Sequence, residues 1–417
     1  MNNSTNKKLK VLVCAFSCIK DPDRRFGSGS GGESILGKNI ILQLNRFHNV
    51  FVLTHVTNKE AIEKENLFYQ VKFYYIDLPK FLNFTKKIIQ IYAYLWQIKA
   101  YFVAKKINKE NNFDVFHHVT YANDWMASYI GALLPTPYLR GPGGGAHKVP
   151  KKFLKDYSFK EKMSEKVRDI GQWVFKHDPF FIIGQNKAKA ILVCNKEAFN
   201  ALSKKWQKKA YFFPVNGISI EDLSLLEVKE KNTDGKFFIL TAGKLIKIKG
   251  FDLAIRSFKI FSDKIDDAKL VIIGDGPELK NLKKIVGELN LGEKVFFENW
   301  IIQKNLFKEM LSCDIFLFLS LRDGGGNVVV EAMASGTPVV CFDLAGPGFH
   351  IDEKCGIKIK TEFPEQAIKK IAEALEKLYS DKELRISLGK GAKEKAEKNY
   401  SYDRLGDKLN EIYKKVL

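Results

Sequence analysis

Leu321-Arg-Asp-Gly-Gly-Gly-Asn-Val-Val-Val-Glu-Ala-Met-Ala-Ser-Gly-Thr-Pro-Val-Val340 sets three glycines between two apolar runs. The run that precedes it, Cys313-Asp-Ile-Phe-Leu-Phe-Leu-Ser320, suits a strand buried on both faces of a parallel sheet. Val328–Ser335 carries a helical period, and Gly336-Thr337-Pro338 closes that helix before the next strand. Strand, glycine loop, helix and strand in this order make a βαβ unit. Gly325, Gly326 and Asn327 therefore stand at a helix N-terminus. Unpaired N–H groups and the positive end of the helix dipole attract an anion there, and glycine lets a phosphate approach the backbone. Asp323 and Glu331 flank that place from the loop and from the second helical turn. A glycine turn that serves only tight packing would give the same pattern.

The stretch resembles the Glu-x7-Glu signature of retaining glycosyltransferases of GT-B architecture, family 4, the group 1 glycosyl transferases, and the match is fullest from Glu331 to Val340. The first Glu of the signature is Asp323 here, and the aromatic that usually separates its glycines is Gly325. The resemblance implies an α/β fold of two Rossmann-like, doubly wound domains facing each other across a cleft. It implies a nucleoside-diphosphate sugar as co-substrate, with no cofactor and no metal. Asp323 would hold sugar hydroxyls and Glu331 the donor ribose, with Gly325, Gly326, Asn327 and Val328 around the diphosphate.

Other segments fit the same reading. Thr241-Ala-Gly-Lys-Leu-Ile-Lys-Ile-Lys-Gly250 follows an apolar strand and leads into the helical Phe251–Phe261, so Lys244 and Lys249 can reach one anion. The family has an arginine where Lys244 stands, and a point charge there replaces a bidentate fork. Val271-Ile-Ile-Gly-Asp-Gly-Pro277 matches a family Gly-x-Gly-Pro segment and adds Gly274 to the donor side. Val295–Ile301 corresponds to the strand and loop that meet the base through main-chain groups, with Ile301 at its end and Asn299 where glycine is common. In the first half, Phe26-Gly-Ser-Gly-Ser-Gly-Gly-Glu-Ser34 precedes a helical Ile35–Phe47, and its family counterpart places Gly31 and Gly32 over the diphosphate. Phe113-Asp-Val-Phe-His-His-Val119 ends in two histidines, and the family has one histidine at the end of this strand lining the sugar pocket. Successive strand residues face opposite sides, so one of His117 and His118 enters the site, and His118 is preferred. Arg140-Gly-Pro-Gly-Gly-Gly-Ala-His147 follows another strand and puts Arg140, Gly143 and Gly144 on the acceptor side, or is simply a loop. Asp21-Pro-Asp23 lies beside Arg24 and Arg25 and is not read as a metal site.

Composition bounds the rest. At 417 residues and 45% hydrophobic content the chain can build two cores. Its six cysteines are scattered through apolar runs without zinc spacing, as small core residues of a reducing compartment would be. Lys7, Lys8 and Lys10 before Val11–Ile19 imitate a secretion signal, but Lys20–Arg25 is a poor flank and a first strand is favoured. No apolar segment reaches the length of a membrane span. The net charge of +20 is uneven: residues 1–220 hold 35 Lys and Arg against 16 Asp and Glu, a net +19. A basic half attracts phosphate, and the expectation is a cytoplasmic protein that can sit on the inner face of the cell membrane. Phe81–Asn108, which mixes Phe81, Phe84, Tyr92 and Trp96 with lysines, suits an interfacial helix and equally a core-facing helix with solvated lysines.

Twelve strands are expected, seven before Phe213 and five from Phe237 to Phe342. The first domain is assigned to residues 1–218 and the donor-binding domain to 219–399, with a polar junction through Lys231–Gly235. The resemblance implies that a last helix, about 400–417, packs back on the first domain. The reading is a retaining, metal-independent glycosyltransferase acting on a glycan or lipid-linked acceptor of the cell envelope. Its rivals are a sugar-nucleotide epimerase or phosphorylase on the same fold, and a non-catalytic basic binder of membranes or, less in keeping with the motifs, nucleic acid.

Overall fold

The computed structural model describes residues 8–19, 30–224 and 235–417. Asp21-Pro-Asp23, the loop residues Phe26–Gly29 and most of the polar junction, 225–234, lie outside the described residues.

Two parallel sheets organise the chain. The first contains β1 (Lys10–Cys14), β2 (Asn49–His55), β3 (Lys72–Ile76), β4 (Val115–His118), β5 (Tyr138–Gly143), β6 (Ala190–Val193) and β7 (Ala210–Phe212). Their spatial order is β3-β2-β1-β4-β5-β6-β7. The second contains β8 (Phe237–Ala242), β9 (Ala268–Ile273), β10 (Val295–Glu298), β11 (Ile315–Phe318), β12 (Val339–Phe342) and β13 (Gly356–Ile359), in the order β10-β9-β8-β11-β12-β13. Both are doubly wound sheets, and each reverses direction beside its first strand, where ligands bind at the carboxyl ends of the strands. In the first sheet that point lies between β1 and β4, which ends in His117-His118. In the second it lies between β8 and β11, whose outgoing loops are 243–250 and 319–326.

The strands are buried because they are nearly all apolar; every residue of β4, β5, β6, β8, β11 and β12 is buried. Each of the twelve expected strands is present, and β13 is the addition. Gly356-Ile-Lys-Ile is a short edge strand whose Lys358 turns outward to Asp343, 3.0 Å away, so it lacks an unbroken apolar run.

The chain divides into one compact unit of Met1–Ala146, Glu165–Val215 and Tyr402–Leu417 and a second of His147–Ser164 and Asn216–Ser401. The second unit thus takes in residues 147–164, inside the stretch that the sequence assigns to the first domain. Val149, Phe153 and Tyr157 explain this, because all three are buried in the core beside β8, and Phe153 meets Phe342 edge-on at 5.8 Å. Three helices, Pro364–Ser380, Lys382–Tyr400 and Tyr402–Val416, form the tail. Ser401 separates the last two, and Asp381 caps the middle one by accepting from the Leu384 amide at 2.8 Å.

The last helix buries Leu405, Leu409, Ile412 and Tyr413, a stripe at helical spacing, among Leu36, Ile40, Ile41 and Leu44 of helix Ser30–Asn45. Gly406 permits this close approach, since a Cβ there would stand 2.4 Å from the Gln43 side-chain oxygen. Helix Ile89–Asn111 takes the core-facing alternative at Tyr92 and Trp96, which are fully buried, whereas Phe102 and, ahead of the helix, Phe81 and Phe84 are exposed.

Candidate functional site

The second domain builds its site on the loop between β11 and helix Asn327–Ala334. Asp323 organises the loop. Its Oδ1 accepts from the Gly326 amide at 2.7 Å and the Gly325 amide at 3.2 Å, and its Oδ2 pairs with the Lys249 ammonium. Burial alone would raise the Asp323 carboxyl, but the Lys249 charge and these hydrogen bonds outweigh it and hold the group below its ordinary value. The expected sugar-binding acid is therefore engaged with its own loop and with the expected diphosphate lysine. Gly326 then opens the helix at φ +68° with no side-chain cap, while its carbonyl accepts from the Val329 amide at 3.0 Å. A Cβ on Gly326 would lie 3.0 Å from Pro347 Cγ, so conformation and space both require glycine.

Sequence reasoning missed the residue that holds the far side of this loop. His350, at the end of helix Ala345–His350, is 1% exposed. Its Nε2 lies 2.6 Å from the Gly325 carbonyl oxygen and its Nδ1 2.9 Å from the Tyr400 hydroxyl. A carbonyl can only accept, so Nε2 carries the proton and Nδ1 accepts from Tyr400. Burial pushes the imidazole down to about 4, so the ring is neutral. No sequence signal marked it, because His350 follows the motif by ten residues and its partner Tyr400 lies in another helix.

Lys249 also stands 5.4 Å from the Phe318 ring centroid. Its neighbour Gly250, at φ +69°, packs so closely that a Cβ would meet the Leu319 carbonyl oxygen at 2.3 Å. The 243–250 loop is thereby locked to the 319–326 loop, and Lys244 projects from it exposed. Gly274 is explained by packing, since a Cβ would lie 1.9 Å from the Gly243 carbonyl oxygen. Glu331, on the second turn of its helix, accepts from Gln303 Nε2 at 2.7 Å. Gln303, the first residue of helix Gln303–Ser312, is a second contributor that the sequence did not flag. Ile301, two residues earlier, is half-buried, as are Gly325, Asn327 and Val328.

In the first domain the two histidines separate as strand alternation requires. His117 is fully buried, with Nε2 2.6 Å from the Gly141 carbonyl oxygen and Nδ1 2.7 Å from the Tyr413 hydroxyl. It ties β4 to β5 and to the last helix, and burial lowers it to about 4. With both nitrogens engaged inside the core, His117 is a strut. His118 points to the other face, stacked on Phe116 at 6.4 Å, and its buried Nδ1 has no hydrogen-bond partner among the described residues. Burial, helped by the Arg140 charge, pushes it down to about 3.

Arg140 does not face outward as an acceptor-side residue would. It is 2% exposed, donates to the carbonyls of Asn123 and Met126, and lies 5.0 Å from the Phe181 ring centroid. Gly143 and Gly144 are glycines for packing: a Cβ would stand 2.6 Å from the Ala122 carbonyl oxygen at the first and 2.8 Å from Cys194 Sγ at the second. Gly31 and Gly32 belong to the first turn of helix Ser30–Asn45 and not to a loop before it; beside Gly32 there is open space. Among the described residues no three His, Cys, Asp or Glu side chains cluster as metal ligands, all six cysteines are buried, and no helix is long and apolar enough to cross a membrane.

The chain is similar to known glycosyltransferases. Residues 225–395 match the family model of glycosyl transferases group 1. An uncharacterized glycosyltransferase of Methanocaldococcus jannaschii is 30% identical over 211 residues, which is 50% of each chain. A Campylobacter jejuni enzyme, N-acetylgalactosamine-N,N'-diacetylbacillosaminyl-diphospho-undecaprenol 4-alpha-N-acetylgalactosaminyltransferase, is 35% identical over 128 residues, 31% of this chain and 33% of its own. These alignments span half or less of the relatives' length. The fold is shared over the whole chain. A glycosyltransferase from Rickettsia africae superposes with a TM-score of 0.66 at 15% identity, covering 98% of both chains. Anabaena HepE, solved with UDP, superposes at 0.64 and 14% identity over 98% of this chain and 100% of its own. The architecture is thus GT-B, two Rossmann-like domains, and the second carries the group 1 glycosyltransferase match.

Proposed function

We propose that the protein is a retaining glycosyltransferase that moves a sugar from a nucleoside-diphosphate sugar to a hydroxyl acceptor. The observation that carries this is the Asp323–Asn327 loop, where two glycine amides converge on one carboxylate oxygen at an uncapped helix start and a lysine closes the other oxygen. Lys249, held by Asp323 beside a helix start that has no side-chain cap, is a fixed cation next to the positive end of a helix dipole, and that pairing suits a diphosphate. In this reading the bond between C1 of the sugar and the phosphate oxygen breaks, and its electron pair leaves with the diphosphate. Lys244 and Lys249 neutralise that charge, the acceptor oxygen bonds to C1 on the face the diphosphate leaves, and its proton passes to the departing phosphate. Glu331, aligned by Gln303, holds the donor ribose. Asp323 keeps Lys249 and the loop in place while offering an oxygen to the sugar. His118, at the end of β4 on the face opposite His117, lines the sugar pocket.

A UDP-sugar is the first donor to test, because HepE of the same fold was solved with UDP. A lipid-linked cell-envelope glycan, assembled on the cytoplasmic side, is the acceptor class we propose, because the Campylobacter relative is named for a diphospho-undecaprenol substrate. Charge neutralisation falls to lysines here, so chelation by EDTA is expected to leave turnover unchanged. A thermal-shift screen of nucleotide sugars identifies the donor, since a ligand bound only by the folded state raises its stability. With that donor, Lys249→Ala is expected to lower kcat by about a hundredfold or more. Glu331→Ala is expected to raise the donor KM about tenfold with the fold intact. Wild-type turnover in both variants would overturn the assignment, and an anomerically inverted product would overturn retention.

A further inference from the structure

Helix Phe159–Lys176 is built inside out. Glu165, Arg168 and Gln172 share the side turned to the protein, where Arg168 and Gln172 donate to the Gly145 carbonyl oxygen at 2.7 and 2.9 Å. The opposite side carries Phe159, Met163, Val167, Ile170, Trp173 and Val174, which are 43–80% exposed. At 3.6 residues per turn these six side chains fall within an arc of about 120°. A surface helix of a globular protein turns its apolar stripe inward, so this arrangement calls for a cover.

Phe175, on the side turned to the protein, ties this helix to its neighbours. Tyr94 of helix Ile89–Asn111 packs against Phe175 at 5.2 Å, and its hydroxyl bonds Asp178, the cap of helix Pro179–Lys187. Ile91 and Ile98, one turn to either side of Tyr94, are exposed, as are Ile182 and Ile183. Lys160, Lys162 and Lys166 border or interrupt the stripe, and all three are exposed.

We infer that this face docks onto an anionic lipid bilayer. The apolar side chains would enter the boundary between headgroups and acyl chains, Trp173 would lie at headgroup depth, and the lysines would meet lipid phosphates. Charge selects this occupant. A second copy would bring the same three lysines against themselves, whereas an anionic surface complements them and the net +19 of residues 1–220. Glycosyl transfer can fail its own test without touching this assignment.

The experiment mixes full-length protein with phosphatidylcholine vesicles that contain or lack phosphatidylglycerol, and reads co-sedimentation and tryptophan emission. Partition into the anionic vesicles is expected to exceed that into neutral ones by about tenfold or more. The blue shift on binding should disappear in Trp173→Phe. Val167→Asp combined with Ile170→Asp should lower binding at least about tenfold, the apolar side chains being the inserted part. Lys160→Glu with Lys162→Glu and Lys166→Glu, all at exposed positions, should abolish the preference for phosphatidylglycerol. Absence of sedimentation with either vesicle overturns the inference, as does equal binding by the Val167→Asp, Ile170→Asp protein. A dimer in light scattering that this variant abolishes would give the face to a second copy and overturn it as well.

Discussion

His350 and Gly326 show how few side chains fix the proposed diphosphate loop. Replacing His350 with Leu removes the donor to the Gly325 carbonyl and leaves Tyr400 without its acceptor. An unmade buried hydrogen bond costs about 1–3 kcal/mol, so urea unfolding should show a loss of that order. If His350 is a positioning residue, the variant should also bind the donor more weakly, and Tyr400→Phe should reproduce part of that loss. Gly326→Ala meets strain from φ +68° and from Pro347 together. A cost of about 1–2 kcal/mol is expected, read as a lowered Tm, and free nucleotide should restore less of it than in the parent protein. At this scale the sequence was legible for charge and glycine and silent on neighbours. The motifs singled out Asp323, Lys249 and Glu331, but His350, which bonds the Gly325 carbonyl, and Gln303, which bonds Glu331, lie in other helices, where no local pattern marks them. Gly143 and Gly274 illustrate the converse. A glycine required because a carbonyl crowds its Cβ reads in the sequence like one that admits a ligand, since both demand only that the side chain be missing.

Elements were more legible than their partners. Continuous apolar runs announced twelve strands, and the exception, β13, is an edge strand interrupted by Lys358. The aromatic and basic mixture in Phe81–Asn108 was ambiguous because that helix is apolar on two sides, burying Tyr92 and Trp96 while exposing Ile91, Ile98 and Phe102. Helix Phe159–Lys176 has the clearer outward stripe, yet periodicity alone cannot say which side of a helix meets the protein. The last helix makes its own prediction. Leu409 is fully buried against the first domain's core, so Leu409→Ala should cost about 2–5 kcal/mol in equilibrium unfolding. Tyr413→Phe should cost less, about 1 kcal/mol, by removing only the hydroxyl that meets His117.

Among the described residues, four buried histidines, His48, His117, His118 and His350, are held below their ordinary value and shape the response to acid. His117 and His350 are lowered to about 4 and His118 to about 3, against an ordinary 6.5, in each case chiefly by burial. In this window the unfolded chain binds protons that the folded chain refuses, so stability falls as pH drops from about 6.5 towards 4. Each histidine contributes at most about 1.4 kcal/mol per pH unit. Asp323 acts lower: its depressed carboxyl adds stability that is complete above its ordinary value and is lost as pH falls through the folded one. Urea titrations at intervals from pH 7 to pH 4 should therefore show a decline that begins before carboxylates titrate. A flat profile down to pH 5 would contradict the burial of these rings.

The first domain is assembled from three separated stretches of chain, the last of them Tyr402–Leu417. On a ribosome this opposes the order of synthesis to the order of completion. Helix Ser30–Asn45 and the ring of His117 are made early, but the side chains that cover them, Leu405, Leu409 and Tyr413, emerge only after residues 216–401 have been translated. At typical elongation rates that interval is roughly 10–40 s. Throughout it the half of the protein that is born first keeps an open apolar groove, whereas the half born second holds every segment it needs as soon as the interval ends.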